Sequence, residues 1–132
     1  MKIIVMFLSV TFFLLASDTV VVNGLEWQDS KESSISKKNW YEADYYCKSL
    51  GLNHHNDWRL ATIRELQSII DIYKYSPSIR KEFTFTNTKS FYWSSTIDAS
   101  NSDKVWHVFY KYGDSYYSKK TKKYSVRCVR NR

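Results

Sequence analysis

Apolar residues recur at helical spacing in the stretch NWYEADYYCKSLG, residues 39–51. They fall at i, i+3, i+7 and i+10, so they share one face of a helix. These positions are Trp40, Ala43, Cys47 and Leu50. Asn39 and Glu42 have the spacing of a capping box, and Gly51 stands where a left-handed C-terminal cap would lie. The pattern predicts a first helix with Cys47 directed into the core.

A second helical pattern lies within DWRLATIRELQSII, residues 57–70. Thr62 and Glu65 again have capping-box spacing, and the apolar residues that follow repeat at helical intervals toward Tyr73. These are Ile63, Leu66 and Ile70. The helix is expected to end before Pro77, because proline disfavours helical geometry in the residue before it.

The residues just before this helix alternate as an extended entry. Trp58 and Leu60 point the same way and are expected in the core, while Asp57 and Arg59 are expected to pair locally. Every residue type in the motif thus has a structural role. The motif is interpreted as part of the scaffold rather than as an active site.

Aromatic and β-branched residues dominate from Phe83 onward and predict strands. The clearest are SFYWSST (90–96), KVWHVFY (104–110) and YSVRCVR (124–130). A hairpin turn is expected at Gly113-Asp114, between the second and third of these. In the third, Val126 and Cys128 share one face, and Arg127 and Val129 the other.

The remaining segments complete an α+β order. Residues 25–28 predict a short leading strand, and SKESSISKK, residues 30–38, has the character of a loop. Two helices and then the strands follow. The predicted fold class is α+β: two helices packed on a mostly antiparallel curled sheet, with one disulfide.

The N-terminal 24 residues have the pattern of a secretory signal peptide. Lys2 precedes an apolar run that ends at Ser17-Asp18, short of the roughly 20 residues of a membrane-spanning helix. Cleavage is expected after Ala16, Ser17 or Gly24, with a retained anchor as the alternative. The predicted organisation is a signal peptide over 1–24 and a single domain over 25–132, located in the periplasm, at the cell surface or outside the cell.

Cys47 and Cys128 both lie in the exported part. An even number of cysteines in an oxidising compartment favours one disulfide, with two separate buried thiols as the alternative. A bond between them would stabilise the fold by about 4 kcal/mol on the loop-entropy model.

Five separated motifs resemble the Lcl C-terminal domain family: WYEADYYCKSLG, DWRLATIREL, YWSST, VWHVF and VRCVR. The resemblance covers nearly all of the exported chain in the family's order. It implies a C-type-lectin-like fold, in which a cysteine of the first helix is bonded to one of the last strand, matching Cys47 and Cys128. It also implies a bacterial exported or surface domain, with glycosaminoglycan binding attributed to the collagen-like adhesin that names the family. Ala61 stands where the family usually has proline.

Catalytic and metal sites find little support in the sequence. The acidic-amide-proline loop and Trp-Asn-Asp strand of calcium-dependent lectins do not occur, and YWSST offers hydroxyls instead of carboxylates. His54 and His55 have the wrong spacing for a helical metal pair and are interpreted as a solvated loop. His107 is expected to be a surface or hydrogen-bonded residue. No nucleophile elbow, phosphate loop or dinucleotide fingerprint is present. The prediction is a non-enzymatic protein without a cofactor.

The C-terminal quarter carries the charge of the chain. The whole sequence has 20 basic and 13 acidic residues, a net charge of +7, whereas Lys104 to Arg132 holds nine basic residues and one acid. A basic stretch with interleaved tyrosines attracts polyanions and can stack on sugar rings. The predicted ligand-binding residues are Lys111, Tyr112, Tyr116, Tyr117, Lys119, Lys120, Lys122, Lys123 and Tyr124. The alternative interpretation is compositional bias, with KKTKK as a solvated hairpin tip.

These features predict an exported binding module that recognises anionic glycans or other polyanions without a metal. Sulfated glycans, lipopolysaccharide and extracellular DNA all have the required charge. An accessory envelope domain that contacts another protein, of the envelope or of a host surface, through exposed aromatic side chains is the alternative function.

Overall fold

The computed structural model describes residues 2–6 and 18–132. Within these ranges the chain forms seven strands, three α-helices and one short 3₁₀ helix (Leu52–His54), so the α+β class is confirmed. The strands are β1 (Thr19–Val22), β2 (Leu25–Gln28), β3 (Arg59–Leu60), β4 (Tyr92–Ile97), β5 (Lys104–Phe109), β6 (Asp114–Lys119) and β7 (Cys128–Asn131). The helices are α1 (Lys31–Ile35), α2 (Trp40–Lys48) and α3 (Ile63–Ser68). In the described residues no helix is long and apolar enough to cross a membrane.

The strands form two antiparallel sheets rather than the single predicted sheet. The first has the order β1-β2-β7-β3, and the second has the order β4-β5-β6. Pairing of β2 with β7 places Trp27 opposite Val129 and joins the two ends of the domain. The leading strand over 25–28 is confirmed, and its partner β1 was not predicted.

Strand β1 lies inside the predicted signal peptide, of which residues 1 and 7–17 fall outside the described part of the chain. Val22 is buried, and its carbonyl accepts a hydrogen bond from Trp27 Nε1 at 3.2 Å. Processing after Gly24 would remove this strand, whereas processing after Ala16 or Ser17 would retain it. The signal peptide itself stays a prediction.

Helix α1 corrects the prediction of a loop over residues 30–38. The Ser30 side chain accepts a hydrogen bond from the backbone N–H of Ser33 and so caps the helix. Serine side chains that satisfy the open amides of a helix start are common at this position. The helix has only five residues, too few for a periodic apolar pattern to be visible.

Helix α2 confirms the first predicted helix and its capping box between Asn39 and Glu42. Ala43 and Cys47 are buried, as expected of the apolar face. The predicted left-handed cap at Gly51 is wrong. The helix already ends at Lys48, with Ser49 as its C-cap, and Gly51 has φ −107°.

Helix α3 has the predicted capping box between Thr62 and Glu65 but is much shorter than expected. It ends at Ser68, and Ile70 pairs with Ile79 in an isolated antiparallel bridge. The backbone N–H of Arg80 donates to the carbonyl of Ile69 at 3.0 Å. The helical spacing of Ile70 therefore reflects burial against a returning loop rather than continuation of the helix.

The hairpin turn at Gly113 joins β5 to β6, a strand that the sequence analysis did not name. Gly113 has φ +82°, and a Cβ there would lie 3.1 Å from Ile70 Cγ2 and 3.2 Å from Ser78 Oγ. Glycine is thus required both by the backbone conformation and by the close packing. Strand β7 lies in the other sheet. The predicted hairpin between residues 104–110 and 124–130 is therefore wrong.

One disulfide joins Cys47 of α2 to Cys128 of β7, with a Cα–Cα distance of 5.5 Å. It lies in one of two core clusters, together with Trp58, Leu60 and Trp93. Bridging an 81-residue separation limits the unfolded chain and stabilises the fold by about 4 kcal/mol on the loop-entropy model. The predicted bond between the first long helix and the last strand is confirmed.

Residues 125–129 are buried on both faces. Val126 and Cys128 belong to one core cluster, and Val129 belongs to the other. The predicted alternation is correct, but neither face is exposed to solvent. Arg127 is therefore buried in the interior, where its charge needs a buried partner of opposite sign.

Candidate functional site

The site is a small cleft, of about 160 Å³, on one face of the β4-β5-β6 sheet. Its floor consists of three aromatic rings, from Phe91, Phe109 and Tyr124. The Phe91 ring contacts Tyr124 edge-on at 4.9 Å between centroids and Phe109 at 5.2 Å. Because the rings pack on one another, the floor is held in one arrangement.

Three lysines line the same cleft: Lys37, Lys89 and Lys123. All three are exposed and come from three separate segments of the chain. Among the described residues, no carboxylate lines this cleft. The cleft therefore presents ammonium groups above an apolar floor, and we call it the lysine cleft.

Backbone pairing outside the regular sheets assembles the lysine cleft. Lys38 and Tyr124 exchange two backbone hydrogen bonds of 2.8 and 2.9 Å, which bring together the segments that carry Lys37 and Lys123. The N–H of Ser125 donates to the carbonyl of Phe91 at 2.9 Å and brings the Lys89 segment alongside. The site thus depends on contacts between residues that are far apart in sequence.

His107 lies beneath the floor of the lysine cleft. It is buried, with its ring stacked on Phe91 at 4.2 Å, and its Nε2 is 2.7 Å from Ser118 Oγ. Ser118 Oγ is also 2.9 Å from the Tyr124 hydroxyl. Burial lowers the pKa of His107 to about 4, so the imidazole is neutral at pH 7. Of the two sequence alternatives, the hydrogen-bonded core residue is the one found.

The predicted ligand-binding residues fall in several places rather than in one patch. Lys123 and Tyr124 line the lysine cleft, and Tyr112 and Tyr116 neighbour its floor, with centroids 6.0 Å from Phe109 and 6.2 Å from Phe91 respectively. Lys111 lies over the Tyr112 ring at 5.4 Å. Tyr112 and Tyr116 are thus near enough to extend the aromatic floor.

The other predicted residues lie away from this floor. Tyr117 packs against Trp106 on the opposite face of the sheet, with its ring 5.1 Å from the Lys104 ammonium. Lys119 and Lys120 line a second cavity, of about 260 Å³. Lys122 is exposed and lines neither cavity. In the sequence it lies between Thr121, which lines the second cavity, and Lys123, which lines the lysine cleft.

The arginines of the C-terminal quarter are largely engaged in ion pairs within the fold. Arg127 is 1% exposed and lies 3.6 Å from the Asp29 carboxylate. Arg130 donates to Glu26 at 2.8 Å and to Asp57 at 2.6 Å. These guanidinium groups are neutralised locally, so the lysines carry the charge available to a ligand.

A larger groove of about 530 Å³ lies beside β1 but offers less unpaired charge. Its lining includes Glu26 and Arg130, which are paired with each other. Burial opposes ionisation of Glu26, yet hydrogen bonds from Asn53 and Arg130 outweigh it and lower the pKa of the carboxyl. These two charges therefore stabilise the fold, and the lysine cleft is the better candidate for recognition of an anion.

The motif at residues 57–66 has the predicted scaffold role, with one correction. Trp58 and Leu60 are buried in the core. Arg59 pairs with Glu65 through two hydrogen bonds of 2.8 Å rather than with Asp57, which instead binds Arg130. The pair completes the cap of α3, because Glu65 also accepts from the backbone N–H of Thr62.

Ala61, at the position where the family usually has proline, is fully buried. Its carbonyl accepts a hydrogen bond from the N–H of Ser95 at 2.8 Å. The start of α3 keeps its capping box, so the departure leaves the helix start intact.

His54 and His55 are exposed, as predicted, although His54 ends a short 3₁₀ helix, Leu52–His54, rather than lying in a loop. In residues 2–6 and 18–132, no group of three or more His, Cys, Asp or Glu side chains could hold a metal ion. The absence of a metal or catalytic site in this protein stays a prediction.

Sequence reasoning missed five residues of the lysine cleft: Lys37, Lys89, Ser90, Phe91 and Phe109. Lys37 belongs to the segment interpreted as a loop, and Lys89 precedes β4. Phe91 and Phe109 were included in predicted strands without a role. No local pattern distinguishes them, since only the tertiary pairing brings them to Lys123.

The whole described domain agrees with one protein family. The model of the Lcl C-terminal domain matches residues 18–130, which includes β1 and both cysteines. No curated protein shows significant similarity to the chain. Since the family model covers most of its length, the chain belongs to the Lcl C-terminal domain family.

Proposed function

We propose that this domain is an exported, non-enzymatic binding module that recognises anionic glycans without a metal. The observation that carries the proposal is the lysine cleft, where Lys37, Lys89 and Lys123 surround an aromatic floor. Ammonium groups attract sulfate and carboxylate groups, and aromatic rings accept the apolar faces of sugars. Together they match a sugar ring that bears a negative charge.

The hydrogen-bonding capacity of the cleft supports an anion over a neutral sugar. Lysine has three donors and no acceptor, whereas sugar hydroxyls require both. The two hydroxyls of the lining are both engaged: Ser90 donates to the carbonyl of Phe91 and accepts from the N–H of Ser125, and the Tyr124 hydroxyl is hydrogen-bonded to Ser118 Oγ. The unengaged polar groups of the lining are thus donors, which favours acceptor-only groups such as sulfate and carboxylate.

The same proposal includes a C-type-lectin-like architecture. Three features support it: the pairing of β2 with β7, the disulfide from α2 to β7, and a separate three-stranded sheet. The family resemblance, which implies both this fold and glycosaminoglycan binding by the naming adhesin, points the same way. A location in the periplasm or at the bacterial surface accords with the predicted signal peptide.

Heparin affinity chromatography of the processed domain tests the function. The protein should be retained at low salt, elute as salt rises, and behave identically with EDTA, because the interaction is electrostatic and needs no metal. The variant Lys89→Glu/Lys123→Glu should elute at clearly lower salt. The slope of its log affinity against log salt concentration should correspond to the release of about two fewer counterions, or still fewer.

The matched control is Lys31→Glu/Lys81→Glu, which changes the net charge equally. Both lysines are exposed, and neither lines the lysine cleft. Thermal unfolding should be similar for all three proteins. Equal weakening by both double variants would show a general charge effect and would remove the case for this site.

A protein partner is the second candidate function, favoured by exposed hydrophobic side chains in the loop after α3. Ile72, Tyr73 and Tyr75 are 81%, 93% and 79% exposed. The loop is held by hydrogen bonds, including Ser76 N–H to the carbonyl of Lys111 at 2.7 Å. Retention on heparin that is insensitive to salt and to the lysine variants would favour this candidate.

A further inference from the structure

Strand β6 forms an open edge of the β4-β5-β6 sheet. It pairs with all six residues of β5 in a continuous register. Among the described residues, no other strand or bridge pairs with it. The opposite edge of the sheet differs, because the backbone N–H of Trp93 in β4 donates to the carbonyl of Ser125 at 3.1 Å. The returning chain therefore covers one edge of this sheet and leaves the other open.

The backbone groups of alternate residues in β6 point away from β5. The N–H of Lys120 donates to the carbonyl of Asp103 at 3.0 Å, so the backbone groups of residue 120 face the β5 side. Because hydrogen-bonded and non-hydrogen-bonded pairs alternate in an antiparallel ladder, Ser115, Tyr117 and Lys119 direct their N–H and C=O groups to the open edge. The Lys119 carbonyl already accepts a hydrogen bond of 3.1 Å from the turn that follows. Within the described ranges, the other outward groups have no backbone partner.

Strand β6 lacks the features that commonly keep an open strand edge from pairing. Such edges are often very short, bulged, interrupted by proline or charged in the middle. Strand β6 has six residues, no proline and no bulge, and its four central residues, 115–118, are uncharged. Tyr116 and Tyr117 are 50% and 48% exposed. The edge is therefore suited to pairing with another strand.

The charges of β6 favour a second copy of the same strand as that partner. Asp114 begins the strand, and Lys119 and Lys120 lie at its end. Two antiparallel copies bring the acidic end of each beside the basic end of the other, and opposite charges across a strand pair are stabilising. In residues 2–6 and 18–132, neither Asp114 nor Lys120 forms an ion pair. Both charges are thus available to a second copy.

We propose that two copies of this domain associate by antiparallel pairing of β6, which joins two three-stranded sheets into one sheet of six strands. The register that uses all three outward residues of each copy places Tyr117 opposite Tyr117 of the second copy, and Ser115 opposite Lys119 of the second copy. Asp114 then lies opposite Lys120 of the second copy. The aromatic pair and the two charge pairs all stabilise this arrangement.

Symmetry determines how the two lysine clefts are arranged in the dimer. A two-fold axis that relates antiparallel neighbours in one sheet is perpendicular to that sheet, so each face continues from one copy into the other. Both clefts therefore open on the same side, and a long polyanion can engage both at once. This consequence rests on the proposed function, whereas the association itself does not.

Sedimentation velocity of the processed domain tests the association. A strand pair is a small interface and gives weak association, so the mass is measured from about 10 μM to 1 mM and should rise toward that of two copies. Ser115→Pro removes an outward N–H and should raise the dissociation constant about tenfold or more. Ser115→Ala is the matched control, since both variants lose the hydrogen bond that Ser115 Oγ accepts from Gln67, and only proline removes the backbone donor.

A charge exchange tests the register and does not depend on whether the proline variant folds. Asp114→Lys should weaken the association about tenfold, because it places like charges opposite each other. Adding Lys120→Asp should restore the dissociation constant of the unmodified protein. Residues 114 and 120 are about 20 Å apart along one extended strand, so this rescue acts only between copies.

The outcomes separate this inference from the proposed function. A protein that stays monomeric to about 1 mM, or a dimer that neither Ser115→Pro nor Asp114→Lys weakens, would overturn the association and leave the proposed function standing. Failure of the charge exchange to restore the dimer would overturn the register. If the dimer forms as described but the two lysine double variants elute alike from heparin, the proposed function fails and the association stands.

Discussion

Two neighbouring regions of the chain use positive charge in opposite ways. One is the lysine segment, residues 119–123, and the other is the final strand segment, residues 127–131, which consists of β7 and the residue before it. In the lysine segment, Lys119, Lys122 and Lys123 are exposed. In the final strand segment, Arg127 is buried and Arg130 is held by two carboxylates. The nine basic residues of the C-terminal quarter thus do not form one binding surface.

The difference follows from the side chains and from their positions. A guanidinium has five donors in a planar array and can satisfy several buried acceptors at once. Arg127 donates to the carbonyl of Phe85 and to Thr86, lies near Asp29, and stacks on Phe83 at 4.5 Å. A lysine ammonium is a compact, strongly hydrated charge that favours solvent, and solvent exposure is what recognition of a polyanion requires.

The largest expected effect is on the final strand segment. Arg127→Met should lower the free energy of unfolding by about 3 kcal/mol or more, because it leaves the Asp29 carboxylate buried without its charged partner. Urea unfolding measures the change. Arg132→Met is the control, since Arg132 is exposed, and it should shift the free energy by less than about 0.5 kcal/mol. Similar values for both variants would contradict the distinction between the two regions.

The next effect is a pH dependence of stability that originates at His107, beneath the floor of the lysine cleft. The pKa of His107 is about 4 in the folded protein, below the ordinary value of 6.5, so the unfolded chain takes up the proton first as pH falls. Stability should therefore be complete above pH 6.5 and decrease toward pH 4, by roughly 2 to 3 kcal/mol.

Urea unfolding between pH 7 and 4.5 checks this, with His107→Gln as the comparison. The variant should show a flatter profile over that interval, because its side chain does not titrate. Glu26 and Glu65 have lowered pKa values and should affect stability mainly at still lower pH. If the free energy of unfolding changes with pH as steeply in His107→Gln as in the unmodified protein, groups other than His107 cause the pH dependence.

The smallest effect on stability is expected in the lysine segment itself. Lys119→Ser/Lys123→Ser should change the free energy of unfolding by less than about 0.5 kcal/mol, since both side chains are exposed. The same variant should elute earlier from heparin. A large loss of stability would show that these lysines support the fold rather than present charge to a ligand.

Local signals predicted the elements whose determinants are close in sequence. Both capping boxes, at Asn39 and Thr62, are formed as expected because each needs only residues three positions apart. The elements that were missed, α1, β1 and β6, have few apolar residues or lie in a segment assigned to processing. Their structure depends on partners elsewhere, as in the pairing of β1 with β2 and of β6 with β5.

The site shows the same division. Lys123 and Tyr124 were predicted from a local concentration of lysine and tyrosine, whereas Lys37 and Lys89 lie in unrelated stretches. The burial of Arg127 could not be inferred either, because its partner Asp29 is about a hundred residues away. The number of basic residues in a stretch of sequence is therefore only an upper limit to the positive charge that the folded surface presents there.

The sequence alone determined the family, the two capped helices, the disulfide partners and the surplus of positive charge. Those features are encoded in residue types at short, fixed spacings. Only the tertiary structure decided which cations reach solvent together, because that depends on backbone pairing between distant segments such as Lys38 and Tyr124. Burial then determined which charges were neutralised by the fold, since an ion can leave water only where a partner of opposite charge or a set of acceptors is already in place.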